Sequence, residues 1–367
     1  MSSDGRKAPA PPTGSSRDDV VLRAEHLCCE YDGNPPTRAV RDVSLELRRG
    51  EILGIVGESG CGKSTLAYAL TRLLRPPARL SSGSLHFYSR DGGAPIDVMA
   101  LGAAELRRFR WSKVSMVFQS AMNALNPVTS LRKQFNDIFA AHMPEMSAEA
   151  REARSGELLQ MVGIEPRRLR GFAHELSGGM RQRVAIAMAL ALEPEIVVMD
   201  EPTTALDVVV QREILDEVEG LRDELGFSLI FITHDLSLLL ELSDRLIVMY
   251  AGEIVEQAPT AAAGRGPAHP YTRGLLTSFP DLLGERKVLR GIPGSPPDLT
   301  AAVNGCPFAP RCQYAFDPCW QVRPVLGPPA LAVPSTGEGA VASSDDGPRA
   351  VACHLHSAEL QSHGSLA

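Results

Sequence analysis

Apolar and polar residues alternate from Val20 to Tyr31 and again from Ala39 to Leu47, the two-residue rhythm of strands buried on one face. The turn-forming run Asp32-Gly33-Asn34-Pro35-Pro36 separates them. A different rhythm follows. Ile52, Leu53, Ile55 and Val56 form a short apolar run, as a strand buried on both faces does, and it stops at Gly57. Leu66, Leu70 and Leu73 then recur at helical spacing. Leu85 to Tyr88 reads as a strand, Glu105 to Arg110 as a helix, and Lys113 to Phe118 as a strand ending at Gln119. Mostly helical material continues to about residue 190, punctuated by Pro144, Gly163 and Pro166. Glu195 to Met199 (EIVVM) is almost wholly apolar, as a central parallel strand is, and ends in Asp200-Glu201-Pro202. A helix over Val209 to Leu225 leads to the buried strand Leu229 to Ile232, which ends in Thr233-His234-Asp235. Buried strands alternating with helices predict an α/β fold with a parallel sheet. Ligands meet such sheets at the carboxyl ends of the strands. The polar residues at those ends are therefore the candidates for chemistry.

The strongest of them is the stretch Gly57-Glu58-Ser59-Gly60-Cys61-Gly62-Lys63-Ser64-Thr65. It has the phosphate-loop pattern G-x-x-x-x-G-K-[ST], between a buried strand and a helix, where that pattern has meaning. Three glycines let the backbone curl so that successive N–H groups converge on an anion, and the helix N-terminus adds its dipole. Lys63 reaches the terminal phosphates of a nucleotide, and the Ser64 hydroxyl suits Mg²⁺. An ordinary glycine-rich turn explains the glycines but not this setting. Cys61 reads as a tolerated small residue, with alkylation there a possible block to ATP binding.

Composition narrows the class. The chain has 367 residues, 44% hydrophobic and 22% charged, enough for a large domain with an appendage. A formal net charge of −7 gives no argument for nucleic acid. The apolar run from Val184 to Leu192 is far short of the ~20 residues that span a bilayer. The first 18 residues carry charge and proline without an apolar core, which predicts a disordered tail and no secretory signal. The expectation is a soluble, cytoplasmic protein that meets a membrane only through a partner. Cys28 and Cys29 read as small strand residues, with no metal-site spacing to His26.

The strand-end residues suit phosphoryl transfer to water. Asp200 can hold Mg²⁺, Glu201 can orient or deprotonate a water, His234 can contact the transferring phosphate, and Gln119 offers a neutral oxygen. A second anion cradle lies far along the chain. In Glu175-Leu176-Ser177-Gly178-Gly179-Met180-Arg181-Gln182-Arg183, Ser177 suits an N-cap, and Gly178-Gly179 leave backbone donors bare at a helix start.

LSGGMRQR resembles the signature motif of ATP-binding-cassette (ABC) ATPases. Its companions stand in order: Tyr31 as a base-stacking aromatic, GESGCGKST, Gln119, IVVMDEP, TTALD at 203–207 with Asp207, and ITHD. The likeness covers roughly residues 20–258. It implies a P-loop NTPase with a RecA-like parallel core, an antiparallel β subdomain and a helical subdomain at about 120–190. The cassette would be 19–265, followed by a small cysteine-containing extension over 266–367 with a flexible insert at about 325–350. ATP would bind at Tyr31 and residues 57–65, with Mg²⁺ at Ser64, Gln119 and Asp200, and with Glu201, His234 and Gln119 catalytic. The resemblance further implies a head-to-tail dimer in which Ser177, Gly178, Gly179 and Gln182 of one subunit meet ATP held by the other. Soluble ABC ATPases of DNA repair or translation are the alternative. They usually carry paired cassettes or a coiled-coil insertion, and this chain has one phosphate loop and no such heptad run.

SAMNALNP after Gln119, HPYTRGLL (269–276) and GIPGSPPDL (291–299) are similar to the oligopeptide, dipeptide and nickel importer ATPases. That implies a cytoplasmic-face, peripheral subunit working with integral-membrane permease subunits, an extracytoplasmic binding protein and a second, paralogous ATPase in a heterodimer. The late cysteines run Cys306-x5-Cys312-x6-Cys319 and then Cys353, across a Pro/Gly/Ser-rich stretch. By residue type alone they are free thiols, a zinc site (with His354) or an iron–sulfur site, and their spacing matches neither the usual C-x2-C zinc pattern nor the ferredoxin one. CPFAPRC and VACH resemble peptide-importer ATPases that carry a [4Fe-4S] cluster.

Overall fold

A computed structural model describes residues 19–119, 124–204, 206–278, 291–301, 303–329 and 347–356. The expected N-terminal tail, Ser120 to Asn123 of the SAMNALNP motif, and most of the proline-rich insert lie outside those residues. In chain order the elements are β1 (Val20–Tyr31), β2 (Thr37–Arg48), β3 (Ile52–Val56), α1 (Lys63–Leu70), β4 (Ala78–Phe87), β5 (Ile96–Asp97), α2 (Ala103–Ser112) and β6 (Val114–Val117). Then come α3 (Leu131–His142), α4 (Ala148–Met161), α5 (Gly178–Ala189), β7 (Ile196–Asp200), α6 (Val208–Leu225), β8 (Ser228–Thr233), α7 (Leu236–Leu242) and β9 (Arg245–Tyr250). The chain finishes with β10 (Glu253–Pro259), α8 (Thr260–Arg265), α9 (Pro270–Ser278), α10 (Asp317–Gln321) and β11 (Ala350–Val351).

Two sheets organise these elements. The larger runs β11-β10-β9-β3-β8-β7-β6, parallel from β9 through β6 and antiparallel where β10 and β11 join. Every residue of β3, β7, β8 and β9 is buried, which explains their unbroken apolar runs. Alternate side chains serve two cores. Ile52 and Val56 join one with Val197, Met199 and Phe231, while Leu53 and Ile55 join another with Val198 and Ile232. Each such side chain contributes about 1.5–3 kcal/mol of apolar burial. The smaller sheet, β2-β1-β4-β5, is antiparallel and packs on the second core through Val21, Leu27 and Leu47. Phe135 and Phe139 of α3, with Leu158 and Leu159 of α4, extend the first core into the helical part.

Several boundaries differ from the sequence reading. β4 starts at Ala78, because Tyr31↔Ala78 and Glu30↔Arg79 pairing with β1 holds a serine-rich segment of low strand propensity. The strands β9 and β10 were not named from the sequence, although Leu246 to Tyr250 is an apolar run like those of β7 and β8. In α2 the backbone leaves helical geometry at Arg110 and Trp111, just before β6.

Candidate active site

β3 delivers the chain to Gly57, and α1 carries it away from Gly62. A Cβ at Gly57 would lie 2.2 Å from the Met249 carbonyl oxygen. One at Gly62, whose φ is +105°, would lie 2.0 Å from that of Ala39. Only glycine fits either position. Lys63 is buried, and its Nζ donates to the carbonyls of Gly57 at 2.8 Å and Glu58 at 3.0 Å, so the loop closes around the ammonium. Ser64 Oγ donates to Asp200 Oδ1 at 3.1 Å, tying the loop to the end of β7.

Asp200 is fully buried, and its Oδ2 has no hydrogen-bond partner among the described residues. Burial pushes its carboxyl up, opposed by the hydrogen bond from Ser64. A buried carboxylate oxygen left without a donor, beside a serine hydroxyl, is a hard-oxygen set that fits Mg²⁺. Glu201 follows with a left-handed backbone, φ +45°, fixed by its N–H donating to the Ile232 carbonyl at 2.8 Å. Its Oε2 accepts from Gln119 Nε2 and from Thr204 Oγ1, both at 3.1 Å. His234 Nδ1 lies 3.5 Å from Glu201 Oε1. Residues at the ends of β6, β7 and β8 thus meet above the loop.

A cleft of about 320 Å³ opens there, lined by Tyr31, Lys63, Ser64, Gln119, Glu201 and Leu299 among others. Ser59, Gly60, Gly62 and Thr65 also face it, and Tyr31 Oη lies 3.0 Å from Thr65 Oγ1. Gly57, Glu58 and Cys61 do not line it. They shape the loop from behind, with the Cys61 thiol buried and pushed up by that burial, and the Glu58 carboxylate turned to Arg311.

The second cradle stands apart from this cleft. Ser177 Oγ accepts from the Met180 N–H and caps α5, and Asp207 Oδ1 accepts from the Val210 N–H and caps α6. A Cβ at Gly179 would lie 2.6 Å from Val210 Cγ1, so glycine lets these two helix starts touch. None of Ser177, Gly178, Gly179 or Asp207 lines the cleft. Gln182, expected beside them at a partner's nucleotide, is buried instead, 1% exposed, on the inward side of α5.

Cys306, Cys312, Cys319 and Cys353 line one small cavity together with His269, Phe308 and His354. Burial pushes the Cys306 thiol up to about 11 and that of Cys353 up to about 12. Among the described residues no group of three or more His, Cys, Asp or Glu side chains is gathered closely enough to hold a metal ion. The iron–sulfur ligand set implied by the resemblance is therefore not confirmed, although its four cysteines do converge. His354 donates from Nε2 to the Val322 carbonyl at 2.8 Å, which leaves only its Nδ1 for a metal.

With this geometry in view, residues 40–204 match the family model for the ABC transporter. Residues 255–319 match that for the oligopeptide/dipeptide transporter C-terminal region. A probable peptide ABC transporter ATP-binding protein of Sinorhizobium fredii is 43% identical over 313 residues, 84% of this chain and 91% of that protein. This chain belongs to the ABC transporter ATP-binding family. An oligopeptide transport ATP-binding protein of Bacillus subtilis is 43% identical over 294 residues, 79% of this chain and 80% of its own. Among solved structures, a dimeric ATP-binding cassette in a post-hydrolysis state with ADP and Pi superposes with a TM-score of 0.57 and 29% identity. It covers 65% of this chain and 98% of its own length. The fold is that of an ABC ATPase, and the chain is an ATPase of that family. What sequence reasoning missed is the part played by Tyr271, Leu299 and Arg311. They lie inside HPYTRGLL and GIPGSPPDL, which the sequence offers only as marks of kinship, and CPFAPRC, which it offers for its cysteines.

Proposed function

We propose that this chain is the ATP-hydrolysing subunit of a peptide importer, driving an integral-membrane permease from the cytoplasmic face of the membrane. The observation that carries the chemistry is the meeting of Ser64, Asp200, Glu201, His234 and Gln119 above the Lys63 loop. The loop amides and Lys63 hold the nucleotide phosphates, with Tyr31 against the base. Ser64, Asp200 and Gln119 would hold Mg²⁺, which when bound offsets phosphate charge. Glu201, aimed by Gln119 and Thr204, orients and deprotonates the attacking water, and His234 contacts the transferring phosphate. Peptide as the transported class is supported by the C-terminal match and by the names of the relatives.

A head-to-tail pair of ATPase subunits is supported by the separation of Ser177, Gly178 and Gly179 from their own cleft. On this reading they and Asp207 close the cleft of a second ATPase, a paralogue, and hydrolysis reopens the pair. An extracytoplasmic binding protein supplies substrate to the permease. No described helix is long and apolar enough to cross a membrane, so the permease provides the path. A [4Fe-4S] cluster as a staple of the extension is supported by the resemblance of CPFAPRC and VACH, and would require Cys306, Cys312, Cys319 and Cys353, which share one cavity, to stand closer together than they do. Co-expression with its permease and binding protein, reconstitution in liposomes and ATP-dependent uptake across a set of peptides test the reading. Uptake of nickel with no peptide transported would overturn it.

A further inference from the structure

Three pieces of the C-terminal extension reach the nucleotide site. Tyr271 Oη accepts the Glu58 N–H at 2.8 Å. Arg311 grips both oxygens of the Glu58 carboxylate, Nη1 to Oε2 at 2.6 Å and Nη2 to Oε1 at 2.9 Å, across 253 residues of chain. Leu299 lines the cleft itself, and its carbonyl accepts from Arg41 Nη2 at 2.8 Å and from the Arg38 N–H at 3.3 Å.

Glu58 therefore has each of its polar groups held. Its N–H goes to Tyr271, its carbonyl to Lys63 and its carboxylate to Arg311. The Arg311 side chain is 5% exposed and fixed in turn by the Pro293 carbonyl at 2.8 Å and by Tyr250 Oη at 3.3 Å. A bidentate guanidinium–carboxylate pair sets direction as well as distance. When the Lys63 ammonium turns to a phosphate it gives up a loop carbonyl, and Glu58 then keeps the Cys61 N–H at 3.3 Å on its own carbonyl and the two contacts from the extension.

We propose that Arg311 is a positioning residue of the nucleotide site, fixing the entry of the phosphate loop through Glu58, so that ATP affinity depends on the extension. Arg311 touches no substrate atom and acts only through Glu58. The inference rests on the reading of the loop as an ATP site, and the two can fail separately.

The test is titration of the full chain with a fluorescent ATP analogue and Mg²⁺, alongside steady-state ATPase rates. Arg311→Ala and Glu58→Gln should each weaken binding about tenfold. The double variant should bind no more weakly than either single one, because both remove the same contact. KM should rise while kcat at saturating ATP changes little. Arg311→Lys should recover part of the affinity, since a point charge cannot make the fork. Thermal melts check folding. If Arg311→Ala does not fold, Glu58→Gln and Arg311→Lys still decide the matter. Binding by Glu58→Gln within about twofold of the parent, or additive losses in the double variant, would overturn the inference. Parent-like ATP binding by Lys63→Ala would instead overturn the assignment of the loop.

Discussion

In the nucleotide cleft, Lys63 donates to two carbonyls, and the Glu201 carboxylate accepts from two donors. In the cysteine cavity, the four cysteines share the lining with Phe308, and burial pushes Cys306 up to about 11 and Cys353 up to about 12. Both gather reactive groups at one place on the same fold. The cleft is arranged to receive an anion, whereas burial in the cavity disfavours the thiolate at Cys306, Cys312 and Cys353, the form a metal would require. Arg311 joins them, one residue before Cys312 and with its guanidinium on the phosphate loop. Clusters of reactive side chains are thus told apart by what surrounds them.

The largest expected effect falls on the cleft. Glu201→Gln keeps the cradle and loses the base, so kcat should drop by about a thousandfold while ATP is retained and the proposed head-to-tail pair stays closed. Single-turnover hydrolysis and size-exclusion with Mg²⁺ and ATP measure this, and a parent-like rate removes Glu201 from its role. Phe308→Ala strikes the wall between the regions, where Phe308 meets Tyr250 at 5.3 Å and Tyr271 at 5.4 Å between ring centres. It should cost about 3–4 kcal/mol in denaturant unfolding and speed alkylation of Cys306 at pH 8. Lys63→Ala should weaken ATP binding about a hundredfold by equilibrium titration, with the thiol reactivity of the cavity untouched. If both regions respond to Lys63→Ala, the contrast between them fails.

The smallest effect is on pH dependence. Thiols raised above the ordinary 9.0 stay protonated in the folded chain after the unfolded chain has begun to lose its protons. Their contribution is complete below about pH 9 and is lost as pH rises through the folded values of about 11 and about 12. Denaturant midpoints of reduced, metal-free protein should fall from pH 9 to 11, and a Cys306→Ala, Cys353→Ala variant should flatten that slope.

Ile52 to Thr65 was legible because strand, glycines and helix start are neighbours, and each residue's task is local. The same holds for Asp200, Glu201 and His234, which end buried runs. The left-handed backbone of Glu201 was not legible, since it depends on the carbonyl of Ile232 in another strand. Nor was the grip of Arg311 on Glu58, because a contact across 253 residues leaves no periodicity to read. The burial of Gln182 was not legible for a related reason. Motif order says which helix carries it, but the helix's rotation against α6 and the core decides that it faces inward. The four late cysteines were found by residue type, and their convergence needed the fold.

The end of the described chain closes the large sheet. Ala350 and Val351 pair with Gln257 and Glu256, and the Ala352 N–H donates to the Val255 carbonyl at 2.9 Å. A version of the protein cut before Ala350 would leave β10 with bare amides along its rim, a template for strand-to-strand clumping between molecules. Shortening the tail to simplify purification would then trade a proline-rich appendage for insolubility, with the cassette itself left whole.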